Sequence, residues 1–194
     1  MSFSESFFSG CKDLSSLIDA DRVEDMVREL QQLRERKGRL FFIGVGGSAA
    51  NCSHAVNDFR KLCGIESYAP TDNVSEFTAR INDEGWETVF STWLSASNFS
   101  DADAVFVMSV GGGSIEKNVS VNLIKAVDFV RERDGKVFAI CGRDGGYVGS
   151  NADCEVRVPV VNADLVTPYS EAFQAVIWHC IVSHPELQMC PTKW

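Results

Sequence analysis

No run in this chain approaches the ~20 consecutive apolar residues that span a bilayer. The start Met1-Ser2-Phe3-Ser4-Glu5 also lacks the basic opening and long apolar core of an export signal, so a cytoplasmic protein is expected. Basic charge is scarce: 18 Lys and Arg face 27 Asp and Glu, a formal net charge of -9. A nucleic acid or a membrane as main partner would need a concentrated basic surface, and neither is expected. The seven cysteines form no Cys-x-x-Cys pair and sit mostly in apolar patterns, which favours buried reduced thiols over disulfides. There is no Gly-x-x-x-x-Gly-Lys-[Ser/Thr] stretch. The Gly-x-Gly that begins at Gly44 is not completed, since Ala49 stands three positions after Gly46, and no nucleotide cofactor is expected. Internal repeats and low-complexity segments are missing as well.

What is present reads as one α/β unit. With 194 residues, 45% of them hydrophobic, the chain can bury one sizeable core. Residues 13 to 37 carry Leu14, Leu17, Ile18, Val23, Met26, Val27, Leu30 and Leu33 at helical spacing, which predicts an amphipathic helix broken near 19 to 21. Residues 1 to 37 are therefore an N-terminal helical segment, of the kind that packs on a partner subunit, ahead of a domain over 38 to 194. Apolar runs at 40 to 44, 104 to 109, 136 to 141 and 154 to 160 predict strands, with a short one at 66 to 70. Helices are expected after the first strand, from a cap at 72 to 76, over 86 to 94, 119 to 133 and 167 to 182. In the last of these, Phe173, Val176, Ile177, Cys180 and Ile181 read as core. Strands alternating with helices imply a parallel sheet covered on both faces, a flavodoxin-like, Rossmann-type sandwich with ligands at the carboxyl ends of its strands.

Two glycine-serine loops follow two of these strands. In the first, Gly44-Val45-Gly46-Gly47-Ser48 passes from a strand into a helix, whose free N-terminal amides suit an anion such as phosphate. The second is Ser109-Val110-Gly111-Gly112-Gly113-Ser114, and the two would converge at one edge of the sheet. Either loop alone is equally well a tight turn; the pair points to a phosphate site. His54 and Asp58, four residues apart, share a helix face one turn above the phosphate end. His184, before Pro185, reads as an exposed cap. His179, on an apolar helix, is more often a core histidine, although Glu171 lies eight residues before it. His54, Asp58, Glu171 and His179 form a nitrogen and oxygen set acceptable to zinc, but their spacing does not show that they meet.

With these residues in hand, the chain resembles the sugar isomerase (SIS) domain family, and within it the phosphoheptose isomerase group. The likeness runs from about Gly38 to Val182. It includes Gly44-x-Gly-Gly-Ser48, His54-x-x-x-Asp58, Asn82-Asp83, the loop from Ser109 to Ser114, Gly142-Arg-Asp-Gly-Gly146, Arg157-Val-Pro159 and the terminal helix with His179. The resemblance implies conversion of sedoheptulose 7-phosphate to D-glycero-D-manno-heptose 7-phosphate, an aldose-ketose isomerisation through an enediol, for nucleotide-activated heptose and surface polysaccharide. It implies Asp58 as base and His179 as partner acid, and Gly46, Gly47, Ser48, Asn82, Asp83, Ser109, Gly111, Ser114 and Glu171 as substrate contacts. It also implies zinc held by His54, Asp58, Glu171 and His179, and a homotetramer with sites at subunit interfaces. Alternatives are a non-catalytic sugar-phosphate-binding SIS module and an isomerase of another phosphosugar. The chain departs from the family where it carries Val45 for Asn, Asp58 for Glu, Glu171 for Gln and Val110, Gly111 and Gly113 for Thr, Ser and Asn.

Overall fold

The structure is a computed structural model that describes residues 1 to 193. Two helices come first, α1 (Phe3–Leu17) and α2 (Ala20–Glu35), then β1 (Leu40–Gly44), α3 (Gly47–Cys63), β2 (Ser67–Tyr68), α4 (Val74–Glu84) and α5 (Val89–Ala96). The second half holds β3 (Ala104–Ser109), α6 (Val121–Arg131), β4 (Lys136–Cys141), α7 (Gly146–Ser150), β5 (Cys154–Arg157) and α8 (Val166–Val182).

The expected break falls at Asp19, whose carboxylate accepts from the Asp21 and Arg22 amides and caps α2. Upstream, however, α1 begins ten residues earlier than the apolar spacing indicates. It is started by a capping box in which Ser2 and Glu5 satisfy each other's backbone amides. Leu14 is the only fully buried residue of α1, with Phe7 and Cys11 half-buried against the core at helical spacing before it, a stripe that the apolar spacing read from residue 13 leaves out.

All five strands are parallel, in the order β2-β1-β3-β4-β5. Alternation along each strand splits the core in two. Leu40, Phe42, Phe106 and Ile140 join α2, α3 and α8 on one face, while Phe41, Ile43, Val107 and Ala139 join α5 and α6 on the other. Met26, Val27, Leu30 and Leu33 of α2 lie in the first cluster, so the helical segment before β1 contributes directly to the domain's core. Strand order reverses at β1, and Gly44 stands level with Met108 of β3. The crevice for a ligand is therefore beside the carboxyl ends of these two neighbours, inside the sheet order and not at an outer strand. No helix among the described residues is long and apolar enough to cross a membrane.

Candidate functional site

Gly46, at φ 65°, turns the chain from β1 into α3, and no side chain caps this helix start. A Cβ on Gly47 would lie 2.5 Å from the Glu171 carboxyl carbon, so the Glu171 carboxylate rests here against bare backbone. Ser48 is buried and its hydroxyl accepts from the Gln174 amide at 3.0 Å. In the second loop, the Ser109 hydroxyl accepts from the Gly112 amide at 3.0 Å and the Ser114 hydroxyl from the Lys117 amide at 3.3 Å. Each of the three oxygens thus already receives an N–H, which turns its own O–H outward as a donor. All three serines, with Val45, Gly111 and Arg143, line one cleft of about 650 Å³. Donor hydroxyls and an uncapped helix start are what an anionic group requires.

The second loop is fixed from the side by the turn after β4. The Gly142 amide donates to the Ser109 carbonyl, and the Tyr147 and Val148 amides donate to the Gly113 and Gly112 carbonyls. A Cβ on Gly112 would meet the Gly145 carbonyl oxygen at 1.7 Å, and Gly112 itself has φ 65°. Glycine is needed there for both reasons.

Helices α3 and α8 lie side by side and run the same way: Ser48 meets Gln174, Asn51 meets Glu171 and Gln174, His54 meets Trp178, and Cys63 meets Val182. This pairing brings His179 to the face already shared by His54 and Asp58. The Asp58 Oδ2 lies 4.0 Å from His54 Nε2 and 3.9 Å from His179 Nε2. Its other oxygen accepts from Asn57 at 2.9 Å. His179 Nδ1 is 2.8 Å from the Ala175 carbonyl oxygen, so it carries the hydrogen and Nε2 of the neutral ring keeps its lone pair toward Asp58. The His54 ring packs edge-on against the buried Trp178 at 4.7 Å between centroids.

One donor atom from each of His54, Asp58 and His179 lies within 4.8 Å of the others, two nitrogens and an oxygen that suit zinc. Glu171 is not part of this group, in contrast to the four-residue set expected. Its carboxylate rests against Gly47 at the positive end of α3, two turns back along α8 from His179.

Of the remaining expected contacts, Gly46 and Gly47 shape the α3 start but do not line the cleft. Asn82 and Asp83 lie on the exposed last turn of α4, bonded to each other at 2.7 Å and away from the cleft of this chain. Val176 and Cys180, read as core, are exposed on the outer side of α8. His184 is half-buried and not an exposed cap, with Nε2 3.2 Å from Glu24 and Nδ1 accepting from the Glu186 amide. Sequence reasoning missed Asn51, Gln174 and Arg143. A buried glutamine one turn after Glu171 on an apolar helix was the available signal for Gln174.

Comparison with known proteins agrees with this geometry. LmbN, a lincomycin biosynthesis protein of Streptomyces lincolnensis, is 33% identical over 155 residues, covering 76% of this chain but only 56% of LmbN. A phosphoheptose isomerase of Rhodospirillum rubrum is 28% identical over 158 residues, 79% of this chain and 78% of that protein. The solved phosphoheptose isomerase GmhA from Neisseria gonorrhoeae superposes with a TM-score of 0.76 at 25% identity, over 93% of this chain and 92% of that one. No protein-family model matches the chain. Fold and cleft together define an α/β domain of the sugar isomerase type. The chain is similar in sequence and in fold to phosphoheptose isomerases.

Proposed function

We propose that the protein isomerises sedoheptulose 7-phosphate to D-glycero-D-manno-heptose 7-phosphate through an enediol, as a cytoplasmic step of heptose biosynthesis. The observation that carries this reading is the carboxylate of Asp58 set 3.9 Å from the free Nε2 of His179, on the helix that begins at the serine cleft. Along α3, six residues separate Ser48 from His54, about 9 Å of axial rise. A seven-carbon chain with C–C bonds of about 1.5 Å reaches roughly that far, so a phosphate at Ser48, Ser109 and Ser114 leaves the far carbonyl level with His54, whose Nε2 lies 4.0 Å from the Asp58 carboxylate.

There Asp58 takes a proton from C1, next to the C2 carbonyl of the ketose, exchanges it with solvent from its open site, and delivers a proton to C2. His179 accepts the O1 proton on Nε2 and delivers a proton to O2, so that charge never builds up on both oxygens. His54, Asp58 and His179 would also hold zinc, which when bound would polarise the substrate oxygens. The expected fourth ligand, Glu171, reaches that site only by turning away from Gly47.

His54 and His179 are about half exposed, and the apolar side chains of Phe3, Phe8 and Val176 are exposed too. These features support a homotetramer in which a neighbouring subunit covers the site, α1 contributes to assembly, and Asn82 and Asp83 reach the substrate of another chain. The test is incubation of purified protein with sedoheptulose 7-phosphate in D2O. An aldose product deuterated at C2 is expected; tight binding without turnover would instead make the domain a phosphosugar sensor.

A further inference from the structure

Two cations of the cleft, Arg143 and Lys117, make no side-chain hydrogen bond or ion pair among the described residues, and Arg143 is the one that lies against the serine loop. Every other arginine of the chain donates to a carbonyl or a carboxylate. The Arg143 side chain makes no hydrogen bond or ion pair among the described residues, yet it lines the same cleft as Ser48, Ser109 and Ser114. Its Cδ is the single heavy atom within 4 Å of the point where a Cβ on Gly111 would stand, at 3.9 Å. The stem therefore crosses the bare backbone between Ser109 and Ser114.

Two further features bear on this residue. Arg143 has φ 52°, a left-handed conformation that a long side chain adopts only at a cost and that glycine would occupy freely. In addition, the backbone of the turn that carries it is tied to the serine loop by the Gly142, Tyr147 and Val148 amides, which fixes the base of the Arg143 side chain beside the hydroxyls. The cleft's other charges, Lys117, Glu116 and Asp144, are exposed, as is Arg143 itself, and none lies within ion-pair distance of Arg143. A planar guanidinium beside three O–H donors suits the paired oxygens of a phosphate dianion.

We propose that Arg143 is the charged anchor for the phosphate of the substrate and sets the preference for phosphorylated over free sugar. This rests on the phosphosugar reading of the cleft. The site needs a counter-charge because the chain as a whole is acidic, and hydroxyls and amides supply only dipoles. Retaining a strained arginine where glycine would be at ease is then the cost of that charge.

Inorganic phosphate binding, followed by calorimetry on the full chain, tests this apart from turnover. Arg143→Gly is expected to lower phosphate affinity about 10-fold or more, the worth of one charge-assisted contact, while melting at the same or a higher temperature because the backbone strain is relieved. Arg143→Lys is expected to recover part of the affinity. Equal phosphate affinity in wild type and Arg143→Gly, or no phosphate binding by the wild type, overturns the proposal. If phosphate binding depends on Arg143 but no isomerisation occurs, the anchor stands and the isomerase reading fails.

Discussion

The side-chain amide of Gln174 on α8 donates to the Ser48 hydroxyl on α3 at 3.0 Å, with both residues buried, while its carbonyl oxygen accepts from Asn51 at 3.0 Å. One glutamine thereby couples the cleft to the helix that carries His179. Gln174→Ala should destabilise the fold by about 1–3 kcal/mol, since it leaves buried partners unsatisfied. It should also raise KM for the phosphosugar, because the Ser48 hydroxyl is no longer held as a donor. Urea unfolding and steady-state kinetics on the same preparation read the two effects.

Replacing Asp58 by Asn keeps the size and removes the proposed base. Turnover should fall by about 10²–10⁴-fold, the usual worth of a positioned acid or base, with little change in thermal stability because the residue is only partly enclosed. Loss of turnover together with loss of the folded state would point to a structural role instead. Asp58→Glu should remain active, since it keeps the carboxylate and adds one methylene beside His54 and His179, which are themselves about half exposed.

Zinc binding should depend on His54 as well as His179. His54→Ala is expected to weaken zinc affinity at least about 10-fold, no less than the loss of an outer-shell partner, while Glu171→Gln should change it much less if Glu171 stays at Gly47. Competition with a chromophoric chelator measures both. A large loss on Glu171→Gln would show that this side chain swings to the metal.

Acid stability should turn on Asp103, at the start of β3. Burial, the largest single influence, pushes its carboxyl upward. It is outweighed by hydrogen bonds from the Arg39 side chain, the Arg39 amide and the Ser100 amide, together with the Arg39 charge, and the group is held below the usual carboxylate range. The folded pKa is depressed, so the stabilisation is complete above the unfolded value near 3.9 and disappears as pH falls through the lower folded value. Asp103→Asn should cost about 3 kcal/mol at neutral pH, as expected for stripping one partner from a buried pair. Its disadvantage should shrink below about pH 4. Denaturant titrations of both proteins at several pH values check the sign.

Much of the fold is legible in the chain because β1, β3 and β4 are continuous apolar runs that break into glycines at the ligand end. The start of α1 was legible too, in the spacing of Phe3, Phe7, Cys11 and Leu14 and the Ser2 and Glu5 capping pair, but only Leu14 is fully buried and the serines and charges between weaken the pattern. Gln174 was hidden. Its partner Ser48 lies 126 residues away, and no local pattern records such a distance.

What the sequence determined alone is local: a strand running through Gly44 to Gly46 into a helix, and four-residue spacing that sets His54 and Asp58 on one face. Helical and strand periodicities follow from backbone geometry within a few residues, so spacing suffices to read them. Tertiary structure decided what crosses between elements. Only the packing of α3 beside α8 brings His179 to Asp58 and leaves Glu171 at Gly47, and only the turn after β4 lays Arg143 across Gly111. Those neighbours depend on sheet order and on which side chains fill the space between elements, and that information is spread over the whole chain.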